Sequence, residues 1–194
     1  MTNRVKKIAI AGVMGGISVF LGATRLGFIP WAAGASLTIM HVPVIIGAVL
    51  EGPLVGAVVG SIFGGFSLLQ AAIAPPGPAD VWFTNPLVSI APRLFIGPLA
   101  WLVYRDFRRW FVAPSFAISG VAGSLTNTVL VLGVIEAFTY LKPDNRFKIF
   151  LPWQDAGTVA VVNGLPEAAI AGILVFVVVG AWKRVGARRR GSRI

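Results

Sequence analysis

Eight residues stand within or at the ends of long apolar runs and are chemically capable there: His41, Gln70, Asn85, Arg93, Asn127, Glu136, Asn163 and Glu167. An ionisable or amide side chain at such a place is costly in lipid and has to face a cavity or a partner. Arg93 is the one cation deep inside an apolar run, so it needs a carboxylate from Glu136, from Glu167 or from a ligand. Asn163 and Glu167 are four apart and share a helix face. Between them Pro166 withdraws a backbone donor and clashes one turn back, so the chain should loosen at Val162 and Asn163. Irregular backbone at membrane depth is tolerated only against protein or a wet cavity. That favours a ligand contact for Asn163. His41 has two roles open to it, a ligand contact or a hydrogen bond to a backbone carbonyl. Glu136 is either a pocket residue or a solvated one at a helix end.

Other chemistry is missing. There is no G-x-x-x-x-G-K-[ST] to hold ATP, no H-E-x-x-H and no G-x-S-x-G. One histidine and no cysteine cannot build a His- or Cys-based metal site. The sequence calls for no cofactor, no metal and no catalytic residue, and it does not read as an enzyme.

The elements that position these residues follow from composition. Of 194 residues, 56% are apolar and 12% charged, with a mean hydropathy of +0.83. Soluble domains are about a quarter charged, so a soluble globule is excluded, and disorder with it. A span takes roughly 20 residues, and six such segments are read here. They cover about residues 5–24, 38–50, 54–74, 87–104, 115–140 and 157–182. The first is taken as a span rather than a signal peptide, because it is long and no A-x-A site follows. The stretch RLGFIPWAAGASL (25–37) is a Gly/Pro/aromatic connector. PPGPADVWFTNP (75–86) cannot continue a helix. The expected fold is an all-α integral membrane protein forming one domain over residues 1–194.

The charge is 17 Lys and Arg against 7 Asp and Glu. The basic clusters flank apolar spans, which argues for membrane topology and against nucleic acid. Twelve of the 17 fall at the two ends and in the 105–109 loop, against four in the opposite loops. Both termini are therefore expected in the cytoplasm, in a multi-pass protein of the cell membrane. On that topology His41, Ser67, Gln70, Asn85, Ser89, Arg93, Glu136, Asn163 and Glu167 lie in the outer half of the bundle, with Asn127 about midway. The inner halves are almost purely apolar. A channel places polar groups along its whole path. This distribution instead describes a pocket open outward and closed below.

Small residues form stripes that let helices approach closely in lipid. Gly56, Gly60 and Gly64 on the third helix, and Gly164, Ala168 and Gly172 on the sixth, are expected to pack inside the bundle. The first helix carries two candidate rows. One is Ala11, Gly15, Ser18 and Gly22; the other is Gly12 and Gly16. A partner subunit is expected on this helix.

The segment LTIMHVPVIIGAVLEGPLVGAVVGSIFG resembles the second and third helices of substrate-binding S components of energy-coupling factor (ECF) vitamin transporters. The likeness lies in Pro43, Gly47, the Gly52-Pro53 turn, Gly56 and Gly60. NPLVSIAPRLFIGPLAWLVY, with Pro92-Arg93 and Gly97, resembles that family's fourth helix. The order of these motifs and the basic tail extend the resemblance over essentially the whole chain. It implies a vitamin-capturing membrane subunit that works with a transmembrane coupling subunit and two cytoplasmic ATPases. It also implies a docking pair on helix one, where Ala11 and Gly15 match and Gly12 and Gly16 stand beside them. The first outer loop, with Phe28, Pro30 and Trp31 between Gly27 and Gly34, would be a lid over the outer ends of helices four to six. The expected substrate-binding set is Trp31, His41, Gln70, Asn85, Arg93, Asn127, Glu136, Asn163 and Glu167. Pantothenate is the first candidate vitamin, because Arg93 and His41 suit a carboxylate and the helix-two segment most resembles that branch. A self-contained carrier or channel without an ATPase partner is the other reading.

Overall fold

Glycine decides where the helices touch. On α3 (Pro53–Ile73), Gly56, Gly60 and Gly64 recur at every fourth position and bring one edge of that helix against α5 (Ala91–Phe107). A methyl group added at Gly56 would lie 2.7 Å from the Gly97 Cα, and one at Gly64 would lie 2.6 Å from the Ser89 carbonyl oxygen. At Gly60 it would collide with the Arg93 carbonyl. Backbone therefore meets backbone along this seam, a contact only small residues allow. A second seam joins α6 (Pro114–Leu141) to α8 (Leu165–Gly191). There Gly120 faces Ala171 and Gly172, while Gly172 faces Val121 and Ala117. The stripes expected on the third and sixth helices thus pack inside the bundle.

The computed structural model describes residues 3–30, 36–75, 78–141 and 156–191. α1 (Asn3–Ala23), α3, α5, α6 and α8 each pack on the next, and all five pack on α2 (Val42–Glu51). Every residue of α2 from Val42 to Val49 is buried. Five helical stretches are long and apolar enough to cross a membrane, among the described residues. The protein is therefore an all-α multi-pass membrane protein in its main architecture.

The second expected span is different. α2 has 10 residues, or about 15 Å of rise, half of a hydrocarbon core of about 30 Å. It begins at Val42, not near 38. The preceding residues form a small antiparallel hairpin, β1 (Phe28–Pro30) with β2 (Ser36–Thr38), paired Phe28 to Thr38 and Ile29 to Leu37. Pro43, near the start of α2, has no N–H to lose from the first turn, which suits a helix start. Leu37, Met40 and His41 are buried, so this non-helical backbone lies within protein.

The fourth expected helix is broken as well. A 3-10 helix (Pro78–Thr84) fills most of the proline-rich connector, and α4 (Pro86–Ser89) is one turn, separated from α5 at Ile90. Pro92 supplies the break: it offers no N–H to the Val88 carbonyl one turn back. The last span also opens irregularly. α7 (Ala156–Val159) runs into a π-helical turn, Ala160–Gly164, before α8. That is the loosening expected ahead of Pro166, whose ring faces the Val162 carbonyl.

Candidate functional site

The α3–α5 seam fixes Arg93. Gly60 lies on its carbonyl, and one turn later Phe63 comes under its side chain. The Val88 carbonyl, left without a helical donor by Pro92, accepts from Arg93 Nη1. The guanidinium stands 5.4 Å from the Phe63 ring centre and 4.8 Å from that of Phe83. Both are cation–π distances. Arg93 is 4% exposed, yet no carboxylate pairs with it among the described residues, and its Nε has no hydrogen-bond partner.

Neither proposed internal partner forms an ion pair with Arg93. Glu167 is buried, and its carboxylate accepts the Thr38 N–H at 2.6 Å. It thereby ties α8 to strand β2. Glu136 is exposed on α6. The expectation of an Arg93–Glu136 or Arg93–Glu167 pair is not met.

His41 caps the start of α2 and is fully buried, with neither ring nitrogen hydrogen-bonded. Of the two roles open to it, the hydrogen bond to a backbone carbonyl is not made. Asn127 approaches from α6. Gly123 packs on Ile45 of α2 and Ala100 of α5. One turn outward from that contact are Asn127, His41 and Ile96, given the antiparallel run of α6 against α2 and α5. Asn127 is buried with its Oδ1 unpartnered, and Ser124 on the same helix has an unpartnered Oγ. Five buried polar side-chain atoms among the described residues have no hydrogen-bond partner: Arg93 Nε, both His41 nitrogens, Asn127 Oδ1 and Ser124 Oγ. Buried polar atoms are nearly always bonded, and each exception calls for a reason.

The remaining expected residues are placed differently. Asn163 is half-buried in the π turn, beside Gly164, which packs on Thr128 of α6. The Asn85 side chain accepts the Leu87 N–H at 3.0 Å and so caps α4. Gln70 is half-buried near the end of α3. Trp31, like Gly34, lies outside the described residues. Ser124, Phe63 and Phe83 were not expected in this region. Phe63 had a signal, since it follows Gly60 by three and so shares the glycine face. Ser124 and Phe83 had none.

A second apolar cluster lies beside Arg93: Trp82 and Val88 pack with Val131 and Ile135, and Phe83, over which the guanidinium stands, joins them. On helix one the two small rows face opposite ways. A side chain at Gly15 would meet Ile62 at 2.6 Å, and one at Gly22 would meet Phe66 and Met40. Gly12 and Gly16 have open space beside them. Exposed Ile8, Val13, Ile17 and Phe20 flank them.

The helical bundle thus buries an arginine that has no carboxylate partner among the described residues. The family model for the substrate-specific component of ECF transporters matches residues 6–179. This chain belongs to that family, and its role is transport rather than catalysis. It is similar to the pantothenic acid transporter PanT of Lactococcus lactis subsp. cremoris, at 30% identity over 168 residues, covering 78% of this chain and 80% of that one. It is also similar to the pantothenate transporter PanT of Leuconostoc mesenteroides subsp. mesenteroides, at 31% identity over 125 residues, covering 60% and 61%.

Proposed function

We propose that this chain captures pantothenate from outside the cell and delivers it through an energised complex. The observation that carries the reading is Arg93, buried and without a carboxylate partner among the described residues, in a bundle that also buries the unpartnered His41 ring. A ligand carboxylate meets that need. Nη1 is committed to Val88, so the carboxylate docks on the Nε edge of the guanidinium, with His41 on its other side. Pantothenate also carries an amide and two hydroxyls. Asn127, Ser124 and Asn163 are the matching polar groups on α6 and the π turn. The two relatives named as pantothenate transporters support the same choice.

The hairpin serves as the cover. Its strand β2 leads directly into His41, and Glu167 holds that strand through Thr38. The chain works as one domain with both termini in the cytoplasm of a cell-membrane protein. The hairpin strand and α2 together make the sixth crossing, since the extended residues before Val42 supply the length that α2 lacks. No nucleotide site is encoded, so energy comes from a transmembrane coupling subunit and two ATPases.

The docking face is the outward row, Gly12 and Gly16, with Ala11 at its edge. Gly15 is filled by Ile62 and belongs to the bundle. Gly16→Leu should abolish pantothenate uptake by cells carrying the complete transporter and leave pantothenate binding by the purified chain intact. The leucine holds the partner helix away without meeting any atom of its own bundle. Normal uptake by this variant would move the docking face elsewhere. Gly15→Leu, by contrast, should damage folding itself.

A further inference from the structure

At the other end of the molecule a cavity of about 460 Å³ opens between the ends of α2 and α5, the starts of α1 and α3, and the late turns of α8. Lys7, Arg108 and Lys183 line it, with Glu51, Tyr104 and Trp101. The single carboxylate is already neutralised, because Glu51 pairs with Lys6 at 2.5 Å. The cavity is therefore left with uncompensated positive charge.

Its cations are arranged around one phenol. Tyr104 is 4% exposed. Its oxygen accepts a hydrogen bond from Lys183, whose ammonium stands 4.7 Å from the Tyr104 ring centre and 4.9 Å from that of Phe116. Arg108 lies over the same tyrosine at 5.6 Å. A phenol that accepts a bond still has its own proton to donate. Two cations and an O–H thus converge on one point, the donor set that a phosphate oxygen takes. The rim is apolar: Leu54 is 73% exposed, and Trp101 carries Arg105 stacked on it at 5.2 Å. Tryptophan and basic residues mark the level where a bundle leaves the hydrocarbon and meets headgroups.

We propose that this cavity binds the phosphate of an anionic phospholipid, with the acyl chains leaving past Leu54 and Trp101. Basic pockets between membrane helices take such headgroups by the same combination of charge and apolar exit. The shared chemistry is a phosphate anion. Lipid is chosen over free phosphate because the cavity sits at the membrane boundary and has an apolar rim. The site does not depend on the identity of the transported solute.

The test is thermal unfolding of the purified chain in nanodiscs of phosphatidylcholine alone and of phosphatidylcholine with phosphatidylglycerol. Phosphatidylglycerol should raise Tm by about 3 °C or more. The rise should vanish in the double variant Lys183→Gln, Arg108→Gln, and survive in Lys183→Arg. Arg4→Gln is the control. Arg4 is a basic residue outside the cavity, and its loss should leave the response unchanged. Inorganic phosphate added to phosphatidylcholine discs should do little. An equal rise with inorganic phosphate would make this a free-phosphate site and overturn the lipid assignment. A phosphatidylglycerol response that persists in the double variant would overturn the site. So would a double variant that has the normal lipid response but fails to assemble with the coupling subunit, since the cavity would then be a protein contact.

Discussion

Arg93→Gln is expected to weaken pantothenate binding by more than about 2 kcal/mol, the range for truncating one partner of a buried charged pair. Ligand-free stability should barely change. The reason lies in what Arg93 touches. Its contacts are one carbonyl and two aromatic faces, and no carboxylate among the described residues. Replacing it leaves no protein anion stranded among the described residues. Removing half of an internal salt bridge would have the reverse signature, because the abandoned carboxylate costs about 3–5 kcal/mol. Affinity by isothermal titration and melting of the ligand-free protein, both on one preparation, separate the two. A large drop in Tm with unchanged affinity would remove Arg93 from the site.

Gly60→Ala should be the most disruptive single-methyl change in the bundle. The new methyl falls on the Arg93 carbonyl, which is backbone and has no rotamer by which to retreat. Overpacking of this kind costs about 1–3 kcal/mol, occasionally more. Here α3 must move off α5, which takes the Phe63 ring away from the Arg93 guanidinium and disturbs the turn that carries it. Stability and pantothenate affinity should therefore fall together. Gly65→Ala, five residues on, points into open space and should be nearly neutral. Equal melting temperatures for the two variants would show that the seam is looser than described.

These two expectations rest on features with different visibility in the sequence. The glycine seam was legible because a repeat of four on a helix defines a face, and close backbone approach is what glycine offers in lipid. Pro166 was legible as a disturbance one turn upstream, whereas Pro92 was not read as one. Pro166 led to the π turn where loosening was expected, whereas a continuous helix was expected across Pro92 and the chain instead breaks into α4 and α5.

Orientation around helix one was not legible. Ala11–Gly15 and Gly12–Gly16 are one residue apart, or about 100° of rotation. Only the position of Ile62 on α3 decides which row is inside. The start of α2 was missed because Leu37, Ile39 and Met40 continue its apolar run without a change in composition. The pairing of Ser36–Thr38 with Phe28–Pro30 is a contact across the connector that no local pattern announces. A carboxylate for Arg93, from the protein or from a ligand, was expected on cost alone. Cost does not say that a carbonyl freed by Pro92 and two phenylalanine rings also hold the guanidinium. Asn85 was placed among the pocket residues on depth alone; depth does not announce that its side chain also caps α4.

The central claim is that Arg93, which pairs with no carboxylate among the described residues, awaits the carboxylate of pantothenate. Competition at equilibrium tests it most directly, with radiolabelled pantothenate and the purified chain in nanodiscs, without ATPase or coupling subunit. Panthenol keeps the amide, the hydroxyls and the carbon skeleton but has an alcohol in place of the carboxylate. Saturable binding that unlabelled pantothenate displaces, and that panthenol displaces only at far higher concentration, is the predicted result. Absence of saturable binding, or displacement by panthenol as effective as by pantothenate, would contradict it.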